Sequence, residues 1–197
     1  GVHEYFLFGR ARVDAPKYPT LVAKHWDGKS WADVGKERIE YLNYEAAKSI
    51  AKDPDVQPGD PTDPPKKPMN ILRLEIIDAL LDVVDLGKKR GSVQKVNSVR
   101  MYTMTGTHFD KLHGVDALLE VKDAKTGVTY SVTFDATLNR PKLTGDISKK
   151  ADILIGELPD AIEESKAFYE QLAPIVAEVK ERILSQQRAA AGQRPRS

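Results

Sequence analysis

VDALLEVKDAKTGVTYSVTFDAT, running from Val115 to Thr137, is the stretch that decides the fold. Its centre, Asp123-Ala-Lys-Thr-Gly127, forms a turn and places Gly where a left-handed backbone is needed. On both sides apolar and polar residues alternate, which is the pattern of a strand with one face buried. Folding the chain about this turn predicts an antiparallel hairpin with 116 opposite 135, 118 opposite 133 and 120 opposite 131. The two-residue period then puts Ala117, Leu119, Val121, Tyr130, Val132, Phe134 and Ala136 on an apolar face. Asp116, Leu118, Glu120, Ser131, Thr133, Asp135 and Thr137 share the other face. A register slip of one residue would move one aspartate to the opposite side, so the pairing depends on the turn.

Side chains directly across such a pair have Cβ atoms about 4.5 to 5.5 Å apart. Asp116 and Asp135 therefore repel each other unless a cation, a proton or basic neighbours intervene. Two hard oxygen ligands suit Mg²⁺ or Mn²⁺ better than zinc. The alternative is that both acids cap backbone groups at a strand end, or pair with Lys111, Arg140 or Lys142.

Outward from the hairpin, Ser98 to Thr105 reads as a strand before it and Ala151 to Gly156 as a strand after it. Pro159 to about Gln187 follows as a long helix with Pro174 expected to kink it. Met69 to Gly87 is apolar over more than half its circumference and is expected to be the most buried helix, closed by Gly87. Its acids, Glu75, Asp78, Asp82 and Asp85, share one stripe. That stripe reads as a solvated face, or as the source of one further metal ligand, Glu75. Lys88 to Arg100 carries Lys88, Lys89, Arg90, Lys95 and Arg100 and no acid, as suits phosphate contacts that leave base identity unread. The same charges would also suit a solubilising loop near a helix C-terminus.

In the N-terminal part, Glu4 to Arg12 reads as a short strand, Thr20 to Trp31 as a small hairpin about Asp27-Gly28, and Lys36 to Lys52 as a short amphipathic helix. Pro54 to Pro68 holds six prolines and reads as a linker or surface loop. The expected organisation is an N-terminal extension over 1–53, this linker over 54–68, an α/β core over 69–187 and a flexible basic tail over 188–197.

Composition narrows the classes. The 197 residues are 41% hydrophobic and 30% charged with a net charge of +1, as in an ordinary globular protein, so overall charge names no partner. The absence of Cys excludes disulfides, thiolate zinc sites and Cys nucleophiles. Neither a membrane-length apolar run nor a basic-then-apolar leader occurs, so the expected location is the cytoplasm, with no membrane partner. No phosphate-binding Gly-x-x-x-x-Gly-Lys, Gly-x-Gly-x-x-Gly, Gly-x-Ser-x-Gly or His-Glu-x-x-His motif is present.

The order helix, strand, hairpin with an acid on each arm, strand, helix resembles the core of the PD-(D/E)xK nuclease-like superfamily over roughly Met69 to Gln187. The resemblance implies a central mixed sheet flanked by helices, a restriction-endonuclease-like α/β core with a small N-terminal β/α extension. By position Asp116 resembles the first acid of the motif and Asp135 the second, with Thr137 where the family carries lysine. Lys142, five residues on, is then the candidate for a migrated amine. Glu75 would match an acid that some members carry on the preceding helix. The resemblance implies a Mg²⁺- or Mn²⁺-dependent nuclease acting on DNA or RNA. The alternative is an inactive relative that serves as an assembly component, binding a protein partner or a second copy, for which the N-terminal aromatic segment could offer a strand edge. His113, three residues before Asp116, is a candidate base or phosphate contact; His108 has a weaker claim. A literal acid-x-Lys also occurs at Glu120-Val121-Lys122, with Asp110 as its first acid.

Overall fold

The computed structural model describes residues 2–13, 24–26, 31–33, 42–87, 96–138 and 150–192. In chain order the elements are α1 (Val2–Phe8), β1 (Lys24–Trp26), β2 (Trp31–Asp33), α2 (Tyr44–Ala51), α3 (Lys67–Leu80), β3 (Val99–Thr103), α4 (His108–His113), β4 (Ala117–Lys122), β5 (Thr129–Ala136), β6 (Ile153–Ile155) and α5 (Ser165–Gly192). The fold is mixed α/β, built on a four-stranded mixed sheet of order β3-β4-β5-β6 with helices on both faces. Strands β3, β4 and β5 are antiparallel neighbours, and β6 runs parallel to β5. A separate antiparallel pair, β1 with β2, sets Trp26 opposite Trp31 as the Asp27-Gly28 turn predicts.

The hairpin forms in the expected register. Leu118 pairs with Thr133 and Glu120 with Ser131, and the ladder ends at Ala117 opposite Phe134, where the Asp116 amide bonds the Phe134 carbonyl at 2.8 Å. Its turn closes through Gly127, whose φ of 72° is the left-handed conformation that spares glycine a Cβ clash. All seven residues of the expected apolar face join the main core with Leu7 and Phe8 of α1, Leu72, Ile76 and Ile77 of α3, and Phe168 and Leu172 of α5. On the opposite face Leu118 and Tyr102 pack under α2 and α4 with Ala47, Ala51 and Phe109.

The structure corrects several readings of the sequence. Glu4 to Arg12 is not a strand: Val2–Phe8 is helical, the Gly9 amide donates to the Tyr5 carbonyl at 3.1 Å, and Leu7 and Phe8 are buried in the main core. This removes the strand edge proposed for pairing with another chain. Strong apolar content without alternation was the weak point of that reading, since burial favours either conformation. Helix α3 stops at Leu80 rather than continuing to Gly87. Beyond it the backbone is taken up by tertiary bonds: Gln187 donates to the Val83 carbonyl at 3.1 Å and the Ala124 amide to the Asp85 carbonyl at 2.7 Å. α4 was not foreseen. Thr107 caps it by accepting from the amides of Phe109 and Asp110, and Gly114, with φ 63°, closes it. Of the expected helix Lys36 to Lys52, the described portion is helical from Tyr44 to Ala51.

The proline-rich segment lies against the free edge of β3. The Met101 amide donates to the Pro61 carbonyl at 2.8 Å. The buried Gln57 side chain donates to the carbonyls of Ala51 at 2.6 Å and Thr103 at 2.9 Å, and accepts from the Thr103 amide at 3.0 Å. A primary amide thus completes the backbone bonding of a strand that has no neighbour on that side. Gln57→Leu keeps the volume and orphans three buried backbone groups. It is expected to lower stability by about 2 kcal/mol, read as a lower urea midpoint with unchanged slope.

Candidate functional site

Asp116 sits one residue before β4, where the chain leaves α4. Its amide donates to the Phe134 carbonyl at 2.8 Å, and its carbonyl accepts from the Met104 amide at 2.8 Å and Thr105 Oγ1 at 3.2 Å. The backbone is therefore fixed to β5 on one side and to the chain following β3 on the other. The side chain, 5% exposed, accepts the Ala136 amide on Oδ2 at 2.8 Å. Asp135 of β5 is equally buried and acts on Asp116 as a like charge. The hairpin thus delivers the two expected aspartates to one buried place.

Two further acids join them. Asp110 on α4 accepts the Gly106 amide on Oδ2 at 2.7 Å, and its carboxyl lies beside that of Asp116, where the two can hydrogen-bond only when one of them holds a proton. Glu4 on α1 adds repulsion to both. Burial foremost, then the charge of Asp110, then those of Asp135 and Glu4, push the Asp116 carboxyl up to about 7, against the stabilising Ala136 amide. Burial and Glu4 likewise raise Asp110 above the ordinary carboxylate range, opposed by the Gly106 amide. Asp110 appeared in the sequence only as the partner of Glu120-Val121-Lys122, and Glu4 not at all. The signal for Asp110 was the pair Thr107 and Gly114, which bound a short helix and carry Asp110 back toward the hairpin.

Other candidates are placed elsewhere. His113 Nε2 bonds the Leu42 carbonyl at 3.1 Å, and its ring packs against Tyr44 and Phe109, so it faces α2 and is not a base for the carboxylates. His108 is buried in the first turn of α4. Glu75 lies in a cleft between α3 and α5 with Tyr169 and Lys180, on the other side of the sheet from Leu118 and Glu120, and is not brought to Asp116. Glu120 is bound through both oxygens by Lys52 Nζ at 2.7 and 2.8 Å, far along β4 from Asp110, which removes the Glu120-Val121-Lys122 alternative. Lys111 is exposed on α4. Thr137, where the lysine was sought, donates its amide to the Ile155 carbonyl at 2.9 Å. Arg100 is exposed on β3 opposite Glu120. Lys88, Lys89, Arg90, Lys95, Arg140 and Lys142 lie outside the described residues.

Among the described residues no group of three or more His, Asp or Glu side chains is arranged to hold a metal ion. The donor set at Asp116 and Asp135 is one pair of hard oxygen ligands. Mg²⁺ commonly binds through one or two carboxylates and completes its shell with water and substrate phosphate, so the donor type, hard oxygen, is the one such an ion takes. No helix among the described residues is long and apolar enough to cross a membrane. Compared with known proteins, the chain matches no family model, no curated protein and no solved structure.

Proposed function

We propose that this chain is a divalent-cation-dependent nuclease with a restriction-endonuclease-like core, similar to the PD-(D/E)xK superfamily. The single observation that carries this reading is the nearness of Asp116 and Asp135 at the end of the hairpin, both buried, with further acids raising the Asp116 carboxyl to about 7. Clustered buried carboxylates cost stability and are found where chemistry needs them. Asp116 and Asp135 hold the cation, and Asp110 orients Asp116 through their shared hydrogen bond. A cation held by Asp116 and Asp135 would supply Lewis acidity toward water and the phosphoryl group. In the hydrolysis, water oxygen bonds to phosphorus and gives up a proton, the bond from phosphorus to the leaving nucleotide oxygen breaks, and that oxygen takes up a proton in its turn.

The test is incubation with single- and double-stranded DNA and RNA in Mg²⁺ or Mn²⁺. Asp116→Ala and Asp135→Ala are each expected to reduce cleavage by about 100-fold or more. Cleavage that survives both substitutions would refute the assignment.

A second reading, a partner-binding protein without catalysis, is favoured by Thr137 in the lysine position and by Tyr5 and Phe6, 38% and 43% exposed on α1. Absence of cleavage on every substrate, together with absence of cation binding, would decide for it.

A further inference from the structure

On the outer side of β3 the proline-rich segment and the strand enclose a half-open cleft of about 620 Å³, within the range of small-ligand sites. Its lining includes Lys52, Asp60, Thr62, Asn97, Arg100 and Tyr102. The wall is built before any ligand arrives: Pro61 and Gln57 are bonded to β3, and the Thr62 amide and hydroxyl both bond Asp60 Oδ1 at 2.8 Å. Prolines at 54, 58, 61, 64 and 65 restrict the same stretch further. A rigid wall spares a ligand the cost of ordering it.

The charges show what the cleft is suited to. Arg100 stands directly across the ladder from Glu120, where an ion pair would ordinarily form. Glu120 is instead spent on Lys52, whose ammonium also lies 5.2 Å from the centre of the Tyr102 ring. Among the described residues Arg100 forms no hydrogen bond or ion pair, and its charge acts on Asp60 across the cleft only from a distance, which leaves its planar fork of donors for an oxyanion. Asn97, three residues away and exposed, adds an amide beside it. Asp60, ionised and held by Thr62, is an acid on the same wall. The two cations, Lys52 and Arg100, are thus matched by Glu120 and Asp60. Such a balanced cleft favours a singly charged phosphodiester over a doubly charged phosphate monoester.

We infer that this cleft holds a phosphodiester of a single nucleic-acid strand on Arg100, with Asn97 beside it. The choice of a nucleic acid rests on the nuclease reading; the anion site itself does not. Glu120 is four residues along β4 from Asp116, about 13 Å. Tyr102 and Leu118 lie between them under α2, so the two sites are separate and a strand would pass around α2 to reach both.

The experiment is fluorescence-anisotropy titration of the full chain with a labelled single-stranded DNA of about 10 nucleotides, in EDTA so that no cleavage intervenes. Arg100→Ala is expected to weaken binding about tenfold and to reduce the salt slope by about one, while Lys166→Ala, which removes an exposed cation of α5 outside the cleft, leaves binding nearly unchanged. Arg100→Lys should recover part of the loss. Equal affinity of the wild type and Arg100→Ala, or no binding by the wild type, would overturn the inference. So would competition by inorganic phosphate at the concentration at which the oligonucleotide saturates, which would make the cleft a free-phosphate site. Loss of binding in Arg100→Ala by a protein that cleaves nothing in Mg²⁺ or Mn²⁺ would uphold this cleft and overturn the nuclease reading.

Discussion

Asp116→Asn is expected to make the folded protein more stable at pH 8 while removing the cleavage activity proposed above. The Asp116 carboxyl stands at about 7 in the fold against an ordinary 3.8. That difference corresponds to a penalty on the order of 4 kcal/mol when the group is ionised. Asparagine retains an oxygen for the Ala136 amide and offers an N–H toward Asp110, without the charge. The expected gain in Tm at pH 8 is on the order of 10 °C for a chain of this size. The sign follows from proton binding: between pH 3.8 and about 7 the folded protein holds more protons than the unfolded chain, so this contribution is complete below 3.8 and is lost as pH rises through 7. Above that it is flat. The wild type should therefore lose stability across this window relative to Asp116→Asn, and thermal melts of the two at pH 5 and pH 8 measure the difference. A penalty of this kind is what the proposed site would exchange for function.

Arg73→Met is expected to have a comparable effect in the opposite direction. Arg73 on α3 is 1% exposed, and it donates from Nε to the Val99 carbonyl at 2.9 Å and from Nη2 to the Val96 carbonyl at 2.5 Å. Burial pulls its guanidinium below its usual pKa, opposed by the charges of Asp63 and Asp60. The side chain ties α3 to the start of β3, at a point where the neighbouring carbonyls have been withdrawn from water. Methionine fills much of the space and restores neither bond, so two buried carbonyls are left unsatisfied. The expected cost is about 3 to 5 kcal/mol, read from urea unfolding. If α3 and β3 are held by apolar packing alone, the loss will fall below about 1 kcal/mol.

The difference between these two residues shows how much was legible beforehand. The hairpin was legible because three independent signals agreed: the glycine at 127, the alternation on both arms, and the chemistry of the two faces. Its register follows from them over the pairs 118/133 and 120/131, and beyond the last pair Asp135 acts on Asp116 as a like charge. Arg73 was passed over because a lone arginine in an apolar helix reads as a solvent-facing residue, and its partners are backbone carbonyls that no side-chain pattern records. The short helices α1 and α4 were missed for a related reason. A six- or seven-residue helix has too few turns to display a period, and its ends are marked only by caps such as Thr107 and Gly114. Glu4 reaches the carboxylates through such a helix, across more than a hundred residues of sequence. His113 shows the converse: closeness in sequence to Asp116 suggested a shared site, yet the last turn of α4 directs its ring to Leu42 and Tyr44.

The proline-rich segment illustrates a further limit. Composition showed that it could join neither a helix nor a sheet interior. It could not show that Gln57 would stand in for a missing strand, or that the result would be a preformed cleft over Arg100.

The central claim is that Asp116 and Asp135 together hold a divalent cation, and Mn²⁺ titration by calorimetry at pH 8 tests it most directly. Saturable binding is expected for the wild type, weakening as the pH falls below about 7 where Asp116 takes up a proton, and lost in Asp135→Ala. Absence of binding by the wild type, or equal binding by Asp135→Ala, would contradict it.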